Sequence, residues 1–485
     1  MRTRPLILLP LIAALAGCAT EATRTRPDTG LPPAYAGAAA ASTTSTVPLA
    51  ADWWTLWRDP ALDALVSRVL AGNLDLRLAA ARVDETAAVL GLTRAAQWPG
   101  VDLNAGVTRS RASQLNNQPI TVPETTSHSL LLSTRFEIDL WGRLRHADAA
   151  AQSQLLASEH ARDAVRVALA AATVQAWFGL RALDAQQALL AAQLRSRSDS
   201  LALVQRRVDA GLASALEAAQ AQAALAALQV QVPELGRQRA VLGNQLAQLA
   251  GEPGAVLPLP LIPALMPALT PALTPALMPA PWPAALPPPL TPPAGLPADL
   301  LQRRPDVRQA EAALAASQYQ VEVARAAMWP TLSLTGSFGG ESADLIDLLK
   351  AGARSWSIGP SLLLPLFDGG RNRARTTQAR AQAEQSAIAY QKTVQQAFRE
   401  VADALANASA GQAQAEPLAR QRAAAAEGLR IAQRRHEAGY SGYLEVLDAQ
   451  RVLFDAELQD LRLAQARLDA SVVLVKALGG GWTGR

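Results

Sequence analysis

The chain has 485 residues, half of them hydrophobic, with 4% aromatics and a formal net charge of +4. Ala and Leu supply most of the apolar content, which favours long helices over a β-sandwich or the mixed core of an enzyme. The arginines are spread along the helical segments and form no run, which speaks against a nucleic-acid partner.

The N-terminus opens with Arg2 and Arg4, followed by an apolar stretch from Leu6 to Ala16 that is too short to span a bilayer. Leu15-Ala16-Gly17-Cys18 resembles a bacterial lipobox. It predicts a signal peptide over 1–17, lipidation of Cys18 and, with Ala19 next, delivery to the outer membrane. Cys18 is the only cysteine, so no disulfide framework exists. Residues 18–52, rich in Pro, Ala, Ser and Thr, read as a lipid-anchored tether.

From Asp59 to Gln97 the apolar positions keep helical spacing, and Trp98-Pro99 ends that run. Period-two alternation then predicts strands over 101–109 and 130–141, each with one apolar and one polar face. A proline-free stretch predicts a helix over 142–208, about 100 Å long, with a partner over 213–250. Residues 253–297 hold 16 of the 32 prolines and read as a linker in the equatorial region. Beyond it the pattern returns: strands over 331–339 and 355–367, then helices over 371–436, with a kink at Pro417, and over 442–478.

The return is a duplication. Asp75, Arg77, Arg94, Trp98 and Pro99 recur as Asp306, Arg308, Arg325, Trp329 and Pro330, each offset by 231. Arg206, Arg207, Gly211, Leu216, Glu217, Gln222 and Gly251 recur as Arg434, Arg435, Gly439, Leu444, Glu445, Gln450 and Gly479, offset by 228. The copies span 53–252 and 298–482 and imply a pseudo-symmetric assembly.

Strands of about ten residues with alternating faces suit a transmembrane β-barrel, but four strands per chain leave open edges in lipid. A dimer's eight strands would be filled by side chains, so a homotrimer with twelve strands is the smallest assembly with a lumen. Arg135, Glu137 and Asp139 would line water, and Trp98, Trp141 and Trp329 would form an aromatic girdle. The expected fold class is thus an α/β membrane channel, a long α-helical barrel plus a transmembrane β-barrel.

Specific stretches resemble the outer-membrane efflux proteins (the TolC-like family), in particular the NodT-type lipoprotein branch. They are Trp53-Trp54 with Asp59-Pro60, Asp139-Leu140-Trp141-Gly142-Arg143, Leu300-Leu301-Gln302-Arg303-Arg304-Pro305-Asp306, Pro365-Leu366-Phe367-Asp368-Gly369-Gly370-Arg371, Tyr443-Leu444-Glu445-Val446-Leu447-Asp448-Ala449-Gln450 and Lys476-Ala477-Leu478-Gly479-Gly480-Gly481-Trp482. The Pro-rich insert departs from the family pattern. The resemblance implies an outer-membrane channel that conducts small molecules, as a homotrimer docked to a periplasmic adaptor and an inner-membrane pump of the resistance-nodulation-division type. A duct for type I protein secretion and a trimeric coiled-coil scaffold are the alternatives. It also implies that the turns carrying Gly211, Leu212 and Ser214, and Gly439, Ser441 and Gly442, form the adaptor-contact tips. Glu445 and Asp448 then become pore-constricting acids, with Tyr440 pairing to Glu217.

No catalytic pattern is present. His128, His146, His160 and His436 lack metal-ligand spacing, and Gly439-Tyr440-Ser441-Gly442 has Tyr443 where a nucleophile elbow needs glycine. The expectation is a non-enzyme without cofactor or metal.

Overall fold

The computed structural model describes residues 25–30, 32, 50–111, 124–254, 286–290 and 303–481. Cys18, Trp482 and most of the Pro-rich linker lie outside the described residues. Twelve elements carry the argument: α1 (Pro60–Gly72), α2 (Leu74–Ala95), β1 (Gly100–Arg111), β2 (Glu124–Ile138), α3 (Arg143–Asp209), α4 (Ala215–Gln229), α5 (Gln231–Leu249), α6 (Pro305–Ala326), β3 (Thr331–Ser342), β4 (Arg354–Leu363), α7 (Arg371–Glu437) and α8 (Tyr443–Ala477). The duplication is exact in length where it matters: α2 and α6 have 22 residues each, β1 and β3 have 12, α3 and α7 have 67.

Two compact units divide the chain. The first, from 81–160 and 309–392 with the N-terminal residues, holds the four-stranded antiparallel sheet in the order β1-β2-β3-β4. The strands run longer than the sequence predicts on the side of the hairpin turns: β2 starts at Glu124, inside the stretch read as polar loop, whereas β4 ends at Leu363. The register settles the faces. Leu103, Leu132, Phe338 and Trp356 form one cross-strand row, and Ile138, Leu332 and Leu362 another. Every second residue in each strand therefore joins a continuous apolar face. Asp102, Ser133, Ser337 and Ser357 belong to the opposite, polar face, together with Arg135 and Glu137. Leu103, Val107, Phe338, Trp356 and Ile358 are all exposed in the protomer. A surface this greasy has lipid as its solvent.

Part of the expected tether is anchored in this unit. Gln318 donates to the Thr25 carbonyl at 2.9 Å, Gln391 to the Asp28 carbonyl at 2.9 Å, and Arg26 pairs with Glu311. Residues 25–28 thus run along α6 and α7, because side-chain amides satisfy their backbone.

The second unit comprises 29–80, 161–308 and 393–485. Its core joins Trp53, Trp54, Leu62, Val66, Trp177, Phe178, Leu246, Leu468, Val472 and Val475. Asp59 explains the Asp-Pro signature. Its Oδ1 accepts from the Ala61 and Leu62 amides at 3.0 and 3.3 Å, Pro60 takes the first helical position, and Oδ2 accepts from Trp177 Nε1 at 3.0 Å. From the linker, Leu286 packs on this core and the Pro288 carbonyl accepts from Trp57 Nε1 at 3.3 Å.

One helix expectation is corrected. The partner helix over 213–250 is interrupted at Val230, three residues before Pro233, whose missing N–H strands the Gln229 carbonyl. At Pro417, where the sequence predicts a kink, α7 runs on as one helix.

Candidate functional site

The tips lie in the second unit. After α3 the chain turns on Gly211 at φ 73°, with the Leu212 amide bonded to the Arg207 carbonyl at 2.7 Å. After α7 it turns on Gly439 at φ 76°, with the Tyr440 amide bonded to the Arg435 carbonyl at 2.8 Å. Both are glycine-capped helix ends of the same design, in a backbone region that L side chains avoid. The restarts differ. Ser214 Oγ accepts from the Glu217 amide at 3.3 Å, while Gly442 offers no side chain and Ser441 Oγ is buried without a partner.

Beneath the turns, Val204, Ala221, Ala432, Tyr443, Val446 and Leu447 form one apolar cluster from α3, α4, α7 and α8. A polar link crosses it. Arg207 Nη1 lies 3.1 Å from His436 Nε2, and His436 Nδ1 lies 3.1 Å from the Ser441 carbonyl. The same imidazole sits against the Tyr443 ring at 5.5 Å. Arg207 belongs to the first hairpin and His436 to the second, so this contact ties the two tips together. Sequence reading missed it by testing His436 only for metal spacing. The usable signal was the repeat itself: position 436 aligns with Val208, so a polar residue replaces an apolar one at an otherwise matched helix end.

Within the protomer no hydrogen bond joins Tyr440 and Glu217, and Tyr440 is 81% exposed. The acids are also not bare. Glu445 pairs with Arg435 at 3.3 Å and Asp448 with Arg451 at 2.8 Å, all four exposed. Each carboxylate therefore brings its own countercharge, which weakens the field a ring of them would project.

Deeper in the helices, Arg197 and Tyr443 are buried with the guanidinium Nε and the hydroxyl unpartnered. Burial pushes the Arg197 guanidinium below its ordinary range. Among the described residues no cluster of three or more His, Cys, Asp or Glu could hold a metal.

In the first unit, Trp141 stacks on Trp329 with centroids 5.2 Å apart and donates to the Pro330 carbonyl at 2.7 Å. Trp98 stands alone at the start of β1, 74% exposed. Arg143 grips Glu137 through two bonds of 2.9 and 2.7 Å, and Asp139 caps α3 through the Arg145 amide at 2.9 Å. These contacts fix the strand-to-helix corner that the Asp-Leu-Trp-Gly-Arg signature encodes. No described helix is long and apolar enough to cross a membrane.

Comparison with known proteins agrees with this anatomy. The outer membrane efflux protein family matches the chain twice, over 65–252 and 296–480, which are the two repeats. Outer membrane protein OprJ of Pseudomonas aeruginosa is 34% identical over 477 residues, covering 98% of this chain and 95% of that protein. The solvent efflux pump outer membrane protein SrpC of Pseudomonas putida is 34% identical over 441 residues, 88% of this chain and 87% of the relative. Among solved structures, the outer-membrane channel OprN superposes with a TM-score of 0.82 at 30% identity, covering 94% of this chain and 99% of that one. The chain resides in the outer membrane and belongs to the outer membrane efflux protein family.

Proposed function

We propose that three copies of this chain form the exit duct of a tripartite efflux pump, fed by a periplasmic adaptor and an inner-membrane pump, with no catalytic step of its own. The observation that carries this reading is the two-faced sheet with unpaired edge strands β1 and β4. Edges cannot stay open in lipid, so β4 of one copy pairs with β1 of the next until twelve strands close. The relatives are named for solvent, toluene and antibiotic efflux, which makes small, largely apolar toxicants the cargo class.

The tips carrying Gly211, Leu212, Ser214, Gly439, Ser441 and Gly442 then meet the adaptor, and Glu445 and Asp448 face the entrance with Tyr440 at its rim. Lipidation of Cys18 adds an anchor to the barrel, while Trp98, Trp141 and Trp329 mark the periplasmic interface. Deleting the gene should sensitise cells to toluene and to hydrophobic antibiotics, and the intact chain should restore resistance. A purified protein that forms no conducting trimer in planar bilayers would refute the reading. In the same bilayers, Glu445→Gln with Asp448→Asn should leave Arg435 without its partner and Arg451 with only Asp455 at 3.7 Å, and shift selectivity toward anions. An unchanged reversal potential would remove these acids from the entrance.

A further inference from the structure

The charges on the apolar face of the sheet are confined to one end. The register assigns to this face Val101 to Arg111 in alternation on β1, Glu124 to Ile138 on β2, Leu332 to Ser342 on β3 and Arg354 to Leu362 on β4. Its only ionised residues are Arg109, Arg111, Arg354 and Glu124, all at the end away from Trp98, Trp141 and Trp329. On β2 the apolar stretch from Ile138 to Leu130 spans about 27 Å along the strand, or about 21 Å across a membrane at a tilt near 40°. The arginines therefore begin where a lipid-facing band of about 25 Å ends.

They also share a level. Trp98 continues the register to the row of Glu137 and Ser333, and Trp329 lies four residues further along β3. Bringing the two tryptophans level requires a stagger of about two residues per strand, an ordinary shear for a tilted barrel. Carried to β4, that stagger sets Arg354 level with Arg111 of β1.

The arginines are under-neutralised. Glu124 is shared between Arg109 at 2.8 Å and Arg111 at 3.7 Å, and Arg354 has no ion pair among the described residues. The nearby Glu341 belongs to the polar face, where it accepts from Ser127 at 2.7 Å. The β3–β4 connection adds apolar surface. A side chain at Gly340 would collide with the Leu348 carbonyl, so the connection folds over the face that Gly340 shares with Arg354. It leaves Leu345, Ile346 and Leu349 exposed.

We propose that Arg109 and Arg111 of one copy, together with Arg354 of the adjoining copy where its β4 pairs with this β1, form a binding site for the phosphate headgroups of anionic lipid in the outer leaflet, with the Leu345, Ile346 and Leu349 connection beside Arg354 resting against its apolar portion. Guanidinium forks match phosphate oxygens, and at a membrane rim they are aimed where those oxygens lie. Three arginines against one glutamate leave two net positive charges per protomer, repeated around the barrel.

The test is native mass spectrometry of the full-length channel in neutral detergent, titrated with bis-phosphorylated lipid A, its dephosphorylated form, and inorganic phosphate. The intact protein should retain lipid A, bind the dephosphorylated lipid about tenfold more weakly, and ignore inorganic phosphate. Arg109→Gln with Arg111→Gln and Arg354→Gln should lose the same factor while keeping single-channel conductance, which separates this site from the duct itself. Arg135→Gln, on the lumen face, should bind as the parent does. Equal affinity for the two lipids in the unaltered protein would overturn the proposal without relying on any variant, as would a triple variant that binds lipid A normally.

Discussion

The two repeats share a backbone plan and close it with different chemistry. In the first, Asn73 precedes α2, accepts from the Asp75 and Leu76 amides at 2.9 and 3.1 Å, and donates to the Leu249 carbonyl at 2.9 Å. In the second, the equivalent Arg304 donates to the Ala477 carbonyl at 3.1 Å and also holds Asp306 at 2.6 Å and Glu400 at 2.8 Å. Leu249 and Ala477 are themselves equivalent, so one staple between helix start and returning helix survives a change from a neutral amide to a buried cation. Alongside it, Gly251 presses against the Gly72 carbonyl and Gly479 against the Arg303 carbonyl, both at positive φ. Duplication preserved the close approach of backbones and left the polar chemistry free to diverge.

The glycines test the shared part. Alanine at Gly251 or at Gly479 must displace a backbone carbonyl while holding φ at 75° or 104°. Each substitution should cost about 4 kcal/mol, read as loss of heat-resistant trimer, and the two losses should be alike. A large difference would break the equivalence of the repeats at this seam.

The staples test the divergent part. Arg304→Met strands two carboxylates and should cost about 3 kcal/mol, less than a fully buried pair because Asp306 and Glu400 keep 37% and 35% of their side-chain surface. Asn73→Ala removes a cap and one buried bond and should cost about 1–2 kcal/mol. Urea midpoints of the detergent-solubilised protein would rank them, and a reversed order would show that the arginine is only a spacer.

A third contrast is titratable. Asp469 sits where the first repeat has Val241, and burial pushes its carboxyl up to about 6, against a weaker opposing hydrogen bond from Gln465. A raised carboxyl contributes stability that is complete below the unfolded value near 4 and is lost as pH rises through 6. Asp469→Asn should therefore melt like the parent at pH 4 and above it at pH 7.5, by about 1 kcal/mol after allowing for partial exposure. A parent-to-variant gap that does not widen between those pH values would contradict the buried-acid account.

The smallest effect comes from moving a pair between repeats. Arg239 holds the buried Asp184 at 2.8 Å, whereas its equivalent, Arg467, lies against Gly411 next to Gln412, the counterpart of Asp184. Gln412→Asp should gain less than about 1 kcal/mol, because position 412 is exposed whereas Asp184 is buried. A double-mutant cycle with Arg467→Met would show whether the gain comes from the pair.

Much of this protein was legible without coordinates, for definite reasons. A period of two over Val101–Val107 and Leu332–Phe338 states which face meets lipid, because a one-residue slip would invert both faces. Fixed offsets between Gly211 and Gly439, or Gly251 and Gly479, locate equivalent turns, because positive φ restricts such sites to glycine. These are local constraints, and local constraints are written residue by residue.

What the sequence could not decide depends on partners brought together from afar. A helix boundary falls at Val230, three residues before Pro233, whereas α7 runs on across Pro417, a difference that the two prolines in sequence do not distinguish. The family resemblance points to Tyr440 and Glu217 at the tips, but the polar link that the protomer makes between its two tips runs through Arg207, His436 and Ser441. The countercharge on Glu445 likewise comes from Arg435 on another helix, whereas Asp448 and Arg451 stand three apart on one helix, a pairing that spacing itself offers. Ion pairs and cross-helix bonds depend on side-chain direction in three dimensions, which spacing along the chain leaves open.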